Sequence, residues 1–253
     1  MPVMKNGNVG IAWESHGEGY PILLSHGYAS TQQMWQGQIE LLAQRYRLIT
    51  WDMRGHGLSD SPDDPAEYSE AKTVQDMALL LDAADVRQAV IGGLSLGGYM
   101  SLGFYHAHPD RVRALMLFDT GPGYRKDEAR AEWNVMADRR ASAFEEQGLA
   151  AVGRSAEVLV ATHRSAAGLA KAARGMLAQF DDHVMRLLPD IAVPTLVLVG
   201  SEDKPFHGGS QYMAAKIPGA EYVVVPDAGH SANIDQPQAF NAAVLSFLDK
   251  LGL

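Results

Sequence analysis

The chain has 253 residues, 47% apolar and 20% charged, with 21 Lys and Arg against 30 Asp and Glu for a formal net charge of −9. That length suits one large α/β domain with an insertion, and the acidic balance argues against the basic face that nucleic acid or an anionic membrane surface requires. No apolar stretch approaches the ~18–20 residues of a membrane span, no signal-peptide core follows Met1-Pro2-Val3-Met4-Lys5, and there is no cysteine for a disulfide, thiolate metal site or nucleophile; the expected setting is cytoplasmic.

Short apolar runs alternate with amphipathic ones, the pattern of a sheet covered by helices on both faces. Val9–Glu14 alternates like an early strand. Pro21–Ser25 and Arg47–Asp52 are continuous apolar runs, as buried central strands are. Between them Trp35, Ile39 and Leu42 recur at helical spacing. A helix is expected from Glu70 to about Ala84, with Val74, Met77 and Leu81 on one face and Ser69 as its cap. Gln88–Ile91 is a strand leading into Gly93-Leu94-Ser95-Leu96-Gly97, and a small-residue helical run, Gly98–Phe104, follows. Val112–Phe118, Thr195–Val199 and Tyr222–Val225 complete the strands. Pro237 opens a closing helix whose stripe is Phe240, Val244, Phe247, Leu248 and Leu251.

Residues 123–188 break this rhythm. The segment holds no convincing strand and is far longer than a βα crossover needs. It reads as several short helices forming a cap (123–188) inserted into a core made of residues 1–122 and 189–253.

The pentapeptide at 93–97, set between a strand and a helix, has the form of a nucleophile elbow. The turn forces Ser95 into an unfavourable backbone conformation and presents its hydroxyl over a helix N-terminus, where negative charge is favoured. An activated serine needs a base, an acid to orient the base and donors for an oxyanion. In a parallel sheet such groups follow the C-terminal ends of strands. His230 follows the last strand on Asp227-Ala228-Gly229-His230 and comes after Ser95 in chain order. Asp203 follows the penultimate strand, with Glu202 as its neighbouring competitor and Asp119, after Phe118, as an alternative acid. The backbone N–H groups of Tyr28 and Leu96 are the expected oxyanion donors. His26 reads as a structural brace of its loop. Asp52, His56 and Asp60 invite a metal reading, but two intervening glycines argue against the helix that would put them on one face; no metal and no cofactor is expected.

Taken together, His26-Gly27, Asp52-x-Arg54-Gly55-His56-Gly57-x-Ser59, Gly93-x-Ser95-x-Gly97-Gly98, Gly200-x-x-Asp203 and Gly229-His230 resemble the α/β-hydrolase superfamily over almost the whole chain. The resemblance implies an α/β fold: a mostly parallel eight-stranded sheet flanked by helices, with the cap between strands six and seven. The nearer resemblance is to small bacterial esterases, enol-lactonases and cofactor-free haloperoxidase-type esterases. It implies cleavage of a carboxylic ester or lactone through an acyl-enzyme. Haloalkane dehalogenases and epoxide hydrolases share the fold but carry aspartate at the nucleophile. Two other readings remain open: hydrolysis of a C–C bond in meta-cleavage products, and a small-molecule receptor. The expected partner is a small apolar ester or lactone. Tyr124, Trp133, Met136, Phe180 and Phe206 are candidate pocket walls, and Arg125, Arg139 and Arg164 could read a substrate carboxylate. No sequence feature sets the oligomeric state.

Overall fold

The computed structural model describes residues 2–253. Its eight strands are β1 (Val3–Asn6), β2 (Val9–His16), β3 (Tyr20–Ser25), β4 (Tyr46–Trp51), β5 (Ala89–Leu94), β6 (Val112–Phe118), β7 (Thr195–Gly200) and β8 (Glu221–Val225). They form one sheet in the order β1-β2-β4-β3-β5-β6-β7-β8. The β1–β2 and β2–β4 pairings are antiparallel, and all pairings from β4 to β8 are parallel. The helices are α1 (Gln36–Leu42), α2 (Glu70–Ala83), α3 (Leu96–Ala107), α4 (Asp127–Gln147), α5 (Ala156–Leu159), α6 (Ala166–Ala172), α7 (His183–Leu187), α8 (Lys204–Lys216), α9 (Ala232–Asp235) and α10 (Pro237–Lys250).

Strand alternation divides the core into two layers. On one face Leu23, Ile49, Ile91, Leu115 and Val197 pack with Met77, Leu81, Met100 and Phe104 of α2 and α3. On the other, Ile22, Leu24, Leu48, Val90, Met116 and Leu198 pack with Trp35, Leu42, Phe240, Val244 and Phe247, from the α1 and α10 side. The apolar stripe of α10 is thus the one its sequence spells out. Ser69 caps α2 as expected, its hydroxyl accepting from the Lys72 N–H at 3.2 Å.

Two elements, β1 and α8, have no counterpart in the sequence reading, and a third differs from it. β1 supplies an eighth strand that no apolar run announces. α8 begins at Lys204, directly after the segment that carries Asp203, with Pro205 in its first turn. The inserted segment opens not with a short helix but with α4, 21 residues long. Its few buried residues, Ala137, Ala141 and Phe144, leave little hydrophobic periodicity to read.

The strand order reverses direction between β3 and β5, which lie side by side, Ser25 opposite Gly93. Loops leaving their C-terminal ends diverge and open a crevice. The helices between β6 and β7 pack on the loops that follow β3 and β4. The Tyr28 hydroxyl donates to the Leu169 carbonyl at 2.9 Å, the Ser30 hydroxyl to the Glu157 carbonyl at 2.8 Å, and the Gly57 N–H to His163 at 3.1 Å.

Candidate active site

Ser95 stands between β5 and α3 with φ 55° and ψ −116°, a conformation that L-residues rarely adopt. Such strain costs about 1–3 kcal/mol and persists only where its surroundings enforce it. Here they do. The Ser95 N–H donates to the Phe118 carbonyl at 2.9 Å, and the Ser95 carbonyl accepts from the Thr120 hydroxyl at 2.7 Å. The start of α3 also lies against the end of β3, so a Cβ at Gly97 would sit 2.2 Å from the Ser25 carbonyl oxygen. Only glycine lets the helix approach this closely. Leu96 is the first residue of α3, so its N–H belongs to the helix-terminal donors that lack an intrahelical acceptor. Tyr28 lies in the turn after β3, which the Ser30 N–H closes onto the Gly27 carbonyl at 3.2 Å.

His230 Nδ1 is 2.8 Å from Asp203 Oδ2. Asp203 is buried, whereas Glu202 points to solvent. Asp203 occupies the N-cap position of α8, yet its side chain does not cap the helix; it reaches His230 instead. Burial works against a charged His230, but the hydrogen bond and charge of Asp203, with the charges of Asp119 and Glu157, outweigh it and raise its pKa above the ordinary 6.5. Phe206, in the first turn of α8, stacks on the imidazole with ring centroids 4.7 Å apart.

Asp119 is more than a turn residue. It is fully buried, adopts φ 44° and accepts from the Gly200 N–H at 2.7 Å, which ties the end of β6 to the end of β7. Burial above all, reinforced by the nearby charge of Asp203, holds its carboxyl well above the ordinary carboxylate range.

His26 is completely buried. Its Nε2 accepts from the Met53 N–H at 2.9 Å, and its Nδ1 lies 2.7 Å from the Gly27 carbonyl, which fixes the tautomer with the proton on Nδ1. Burial lowers its pKa to about 3, so the ring braces two loops as a neutral group. The Asp52–Ser59 segment is likewise braced from within. Asp52 accepts from the Gln32 N–H at 2.8 Å and the Leu58 N–H at 2.9 Å. Arg54 grips Asp76 of α2 through two bonds of 2.7 Å.

A cavity of about 170 Å³ opens at Ser95. Its walls include Leu96, Tyr99, Thr120, Tyr124, Trp133 and Phe206. Three of the five wall residues expected from sequence are therefore present. Met136 and Phe180 are not among them. Met136 lies one turn along α4 from the cavity and takes the Arg140 Nε at 3.2 Å, while Phe180 is 74% exposed and borders a neighbouring cavity. Arg125, Arg139 and Arg164 also lie outside the lining. Sequence reading missed Thr120 and Gln179. Nothing in the chain flags either one, because only folding brings residues from β6 and the insertion to Ser95.

Residues 22–243 match the model of the Alpha/beta hydrolase family. A Bacillus subtilis protein assigned as a 2-succinyl-6-hydroxy-2,4-cyclohexadiene-1-carboxylate synthase is 30% identical, the match covering 91% of this chain and 90% of that one. The 3-oxoadipate enol-lactonase 1 of Acinetobacter baylyi is also 30% identical, over 87% and 85% of the two chains. Among solved structures, a thermophilic esterase from Thermogutta terrifontis superposes with a TM-score of 0.82 at 29% identity, covering 98% of this chain and 97% of its own.

Proposed function

The chain belongs to the alpha/beta hydrolase family, and we propose that within it this protein is a serine hydrolase that cleaves an apolar carboxylic ester or lactone through an acyl-enzyme. One observation carries the reading. Ser95 is held strained in the wall of an apolar cavity, and another wall residue, Phe206, stacks on a histidine already bonded to a buried aspartate.

In this reading His230 Nε2 takes the Ser95 proton as Oγ attacks the substrate carbonyl. The Tyr28 and Leu96 N–H groups hold the tetrahedral oxyanion, which the positive end of α3 also favours. Asp203 keeps the His230 proton on Nδ1 and steadies the imidazolium. His230 then protonates the leaving oxygen, and water repeats the sequence on the acyl-enzyme. The chain's own groups and water handle every proton and bond. The helical segment 123–188 acts as a cap on the core formed by residues 1–122 and 189–253, and its Trp133 and Tyr124 shape the substrate space. The names of the two curated relatives carry carboxylates, whereas no charged residue lines this cavity among the described residues. That contrast favours an uncharged substrate.

The test is hydrolysis of short-chain p-nitrophenyl esters by the native protein and by Ser95→Ala. We expect the substitution to lower kcat/KM by about three to six orders of magnitude, and a fluorophosphonate to label native protein but not the variant. Equal turnover by Ser95→Ala would refute a serine nucleophile. Tight binding with negligible turnover by native protein would point to a receptor.

A further inference from the structure

Gln179 is the one residue of the inserted segment with a polar side chain left unanswered beside Ser95. It is 9% exposed and lines the same cavity. Its Oε1 is buried without a hydrogen-bond partner. The residue is nevertheless held firmly. The Asn134 carboxamide on α4 brackets its backbone, Oδ1 accepting from the Gln179 N–H at 2.8 Å and Nδ2 donating to the Gln179 carbonyl at 2.7 Å. Beside it, the Trp133 indole donates to the Leu177 carbonyl at 2.7 Å and fixes the adjoining wall. The carboxamide lies over Gly123, at φ 86°, where a Cβ would meet Oε1 at 2.7 Å. Thus the backbone at 123 makes room for this side chain, and Asn134 fixes the backbone that carries it.

A buried acceptor without a donor is costly, and a ligand that brings the donor recovers that cost. The cavity is also small. About 150 Å³ accommodates a benzene-sized group, close to the volume here. The remaining walls are aromatic, aliphatic, glycine or hydroxyl groups, and none carries a charge among the described residues.

We propose that Gln179 is a specificity-determining residue of this cavity: its carboxamide accepts a hydrogen bond from an amide N–H or hydroxyl on an uncharged substrate group of roughly benzene size. The inference rests on the hydrolase reading above. It separates three substrate types. A plain hydrocarbon group fits but leaves Oε1 unpaired. An amide-bearing group pairs with it and can also accept from Nε2–H. A carboxylate finds no cation among the residues that line the cavity.

The experiment compares p-nitrophenyl pentanoate, p-nitrophenyl N-acetylglycinate and mono-p-nitrophenyl succinate on native protein, Gln179→Leu and Gln179→Ala. Each rate is corrected for spontaneous hydrolysis. In parallel, calorimetric titration of Ser95→Ala and Ser95→Ala/Gln179→Leu with methyl N-acetylglycinate and methyl pentanoate reads binding without turnover. In native protein the amide ester should exceed the pentanoate in kcat/KM by about five- to tenfold, the weight of one neutral hydrogen bond. That ratio should fall to near one in both Gln179 variants, whatever each variant's absolute rate on the pentanoate. The succinate ester should be at least about a hundredfold poorer than the pentanoate throughout, since a carboxylate would be buried unpaired. An amide preference that survives in both variants, or a preference for the succinate, overturns the proposal. If no ester is turned over but Ser95→Ala binds the amide ligand in a Gln179-dependent way, the hydrolase reading fails and the role of Gln179 stands. Turnover through Ser95 with no Gln179-dependent amide preference gives the converse.

Discussion

At the scale of single residues, chemistry is set by what surrounds each group. Ser95, His230 and Asp203 stand out as candidates in the sequence because each follows a strand end at a glycine-marked turn. Their environment was not legible. His230 has a raised pKa because the bond and charge of Asp203 outweigh the burial that opposes them. In the proposed role of general base His230 must be neutral, so that activity is lost as pH falls through the raised pKa. The kcat/KM profile should therefore show an acid limb with a midpoint above 6.5. Asp203→Asn should move the midpoint downward and lower the plateau by at least about a hundredfold, through loss of the correct tautomer. A pH series with a fast ester reads both, and an unmoved midpoint would deny Asp203 its influence on the base. His26 shows the opposite case. Its pKa of about 3 and its two hydrogen bonds make it a brace, although composition alone cannot tell one histidine from another.

At the scale of elements, the segment from Asp52 to Ser59 works as a joint. Arg54 is fully buried, bound to Asp76 of α2 and to Glu67. Truncating one partner leaves the other charge buried and unpaired. Arg54→Ala should therefore cost about 3–5 kcal/mol in urea unfolding. A double replacement, Arg54→Met with Asp76→Leu, should recover most of that loss. If the double variant is as unstable as the single one, packing rather than charge dominates the joint. The strands and α10 were legible here because their patterning is strong. α4 was misjudged as short because it buries only Ala137, Ala141 and Phe144 along 21 residues, so no apolar stripe marks its extent. β1, four residues at the edge, is too brief for alternation to register.

At the scale of the whole molecule, the helices between β6 and β7 are fastened to the rest of the fold by polar contacts as well as by packing. His183 of α7 pairs with Asp181 and, at 2.8 Å, with Glu70 of α2. Burial opposes its charge, but those two carboxylates outweigh it and raise its pKa above 6.5. A group whose pKa rises on folding contributes stability that is complete below its unfolded value and is lost as pH climbs through the folded value. Amide protection in α7 should thus weaken as pH rises past that point, beyond the intrinsic rate increase. Glu70→Gln should flatten the dependence. Hydrogen exchange at matched intrinsic rates checks this, and a pH-independent profile in native protein would remove His183 as the fastening.

The sequence by itself determined the class of fold and the strand ends, and it marked Ser95, His230 and a short set of carboxylates as candidates. Those depend on local patterning and turn chemistry, which a chain carries in order. Only the tertiary structure decided which carboxylate reaches the imidazole, which walls close on the serine and that Gln179 stands among them unpaired. Those are contacts between residues tens to more than a hundred positions apart. They depend on the reversal of strand order between β3 and β5 and on how residues 123–188 settle over that crevice.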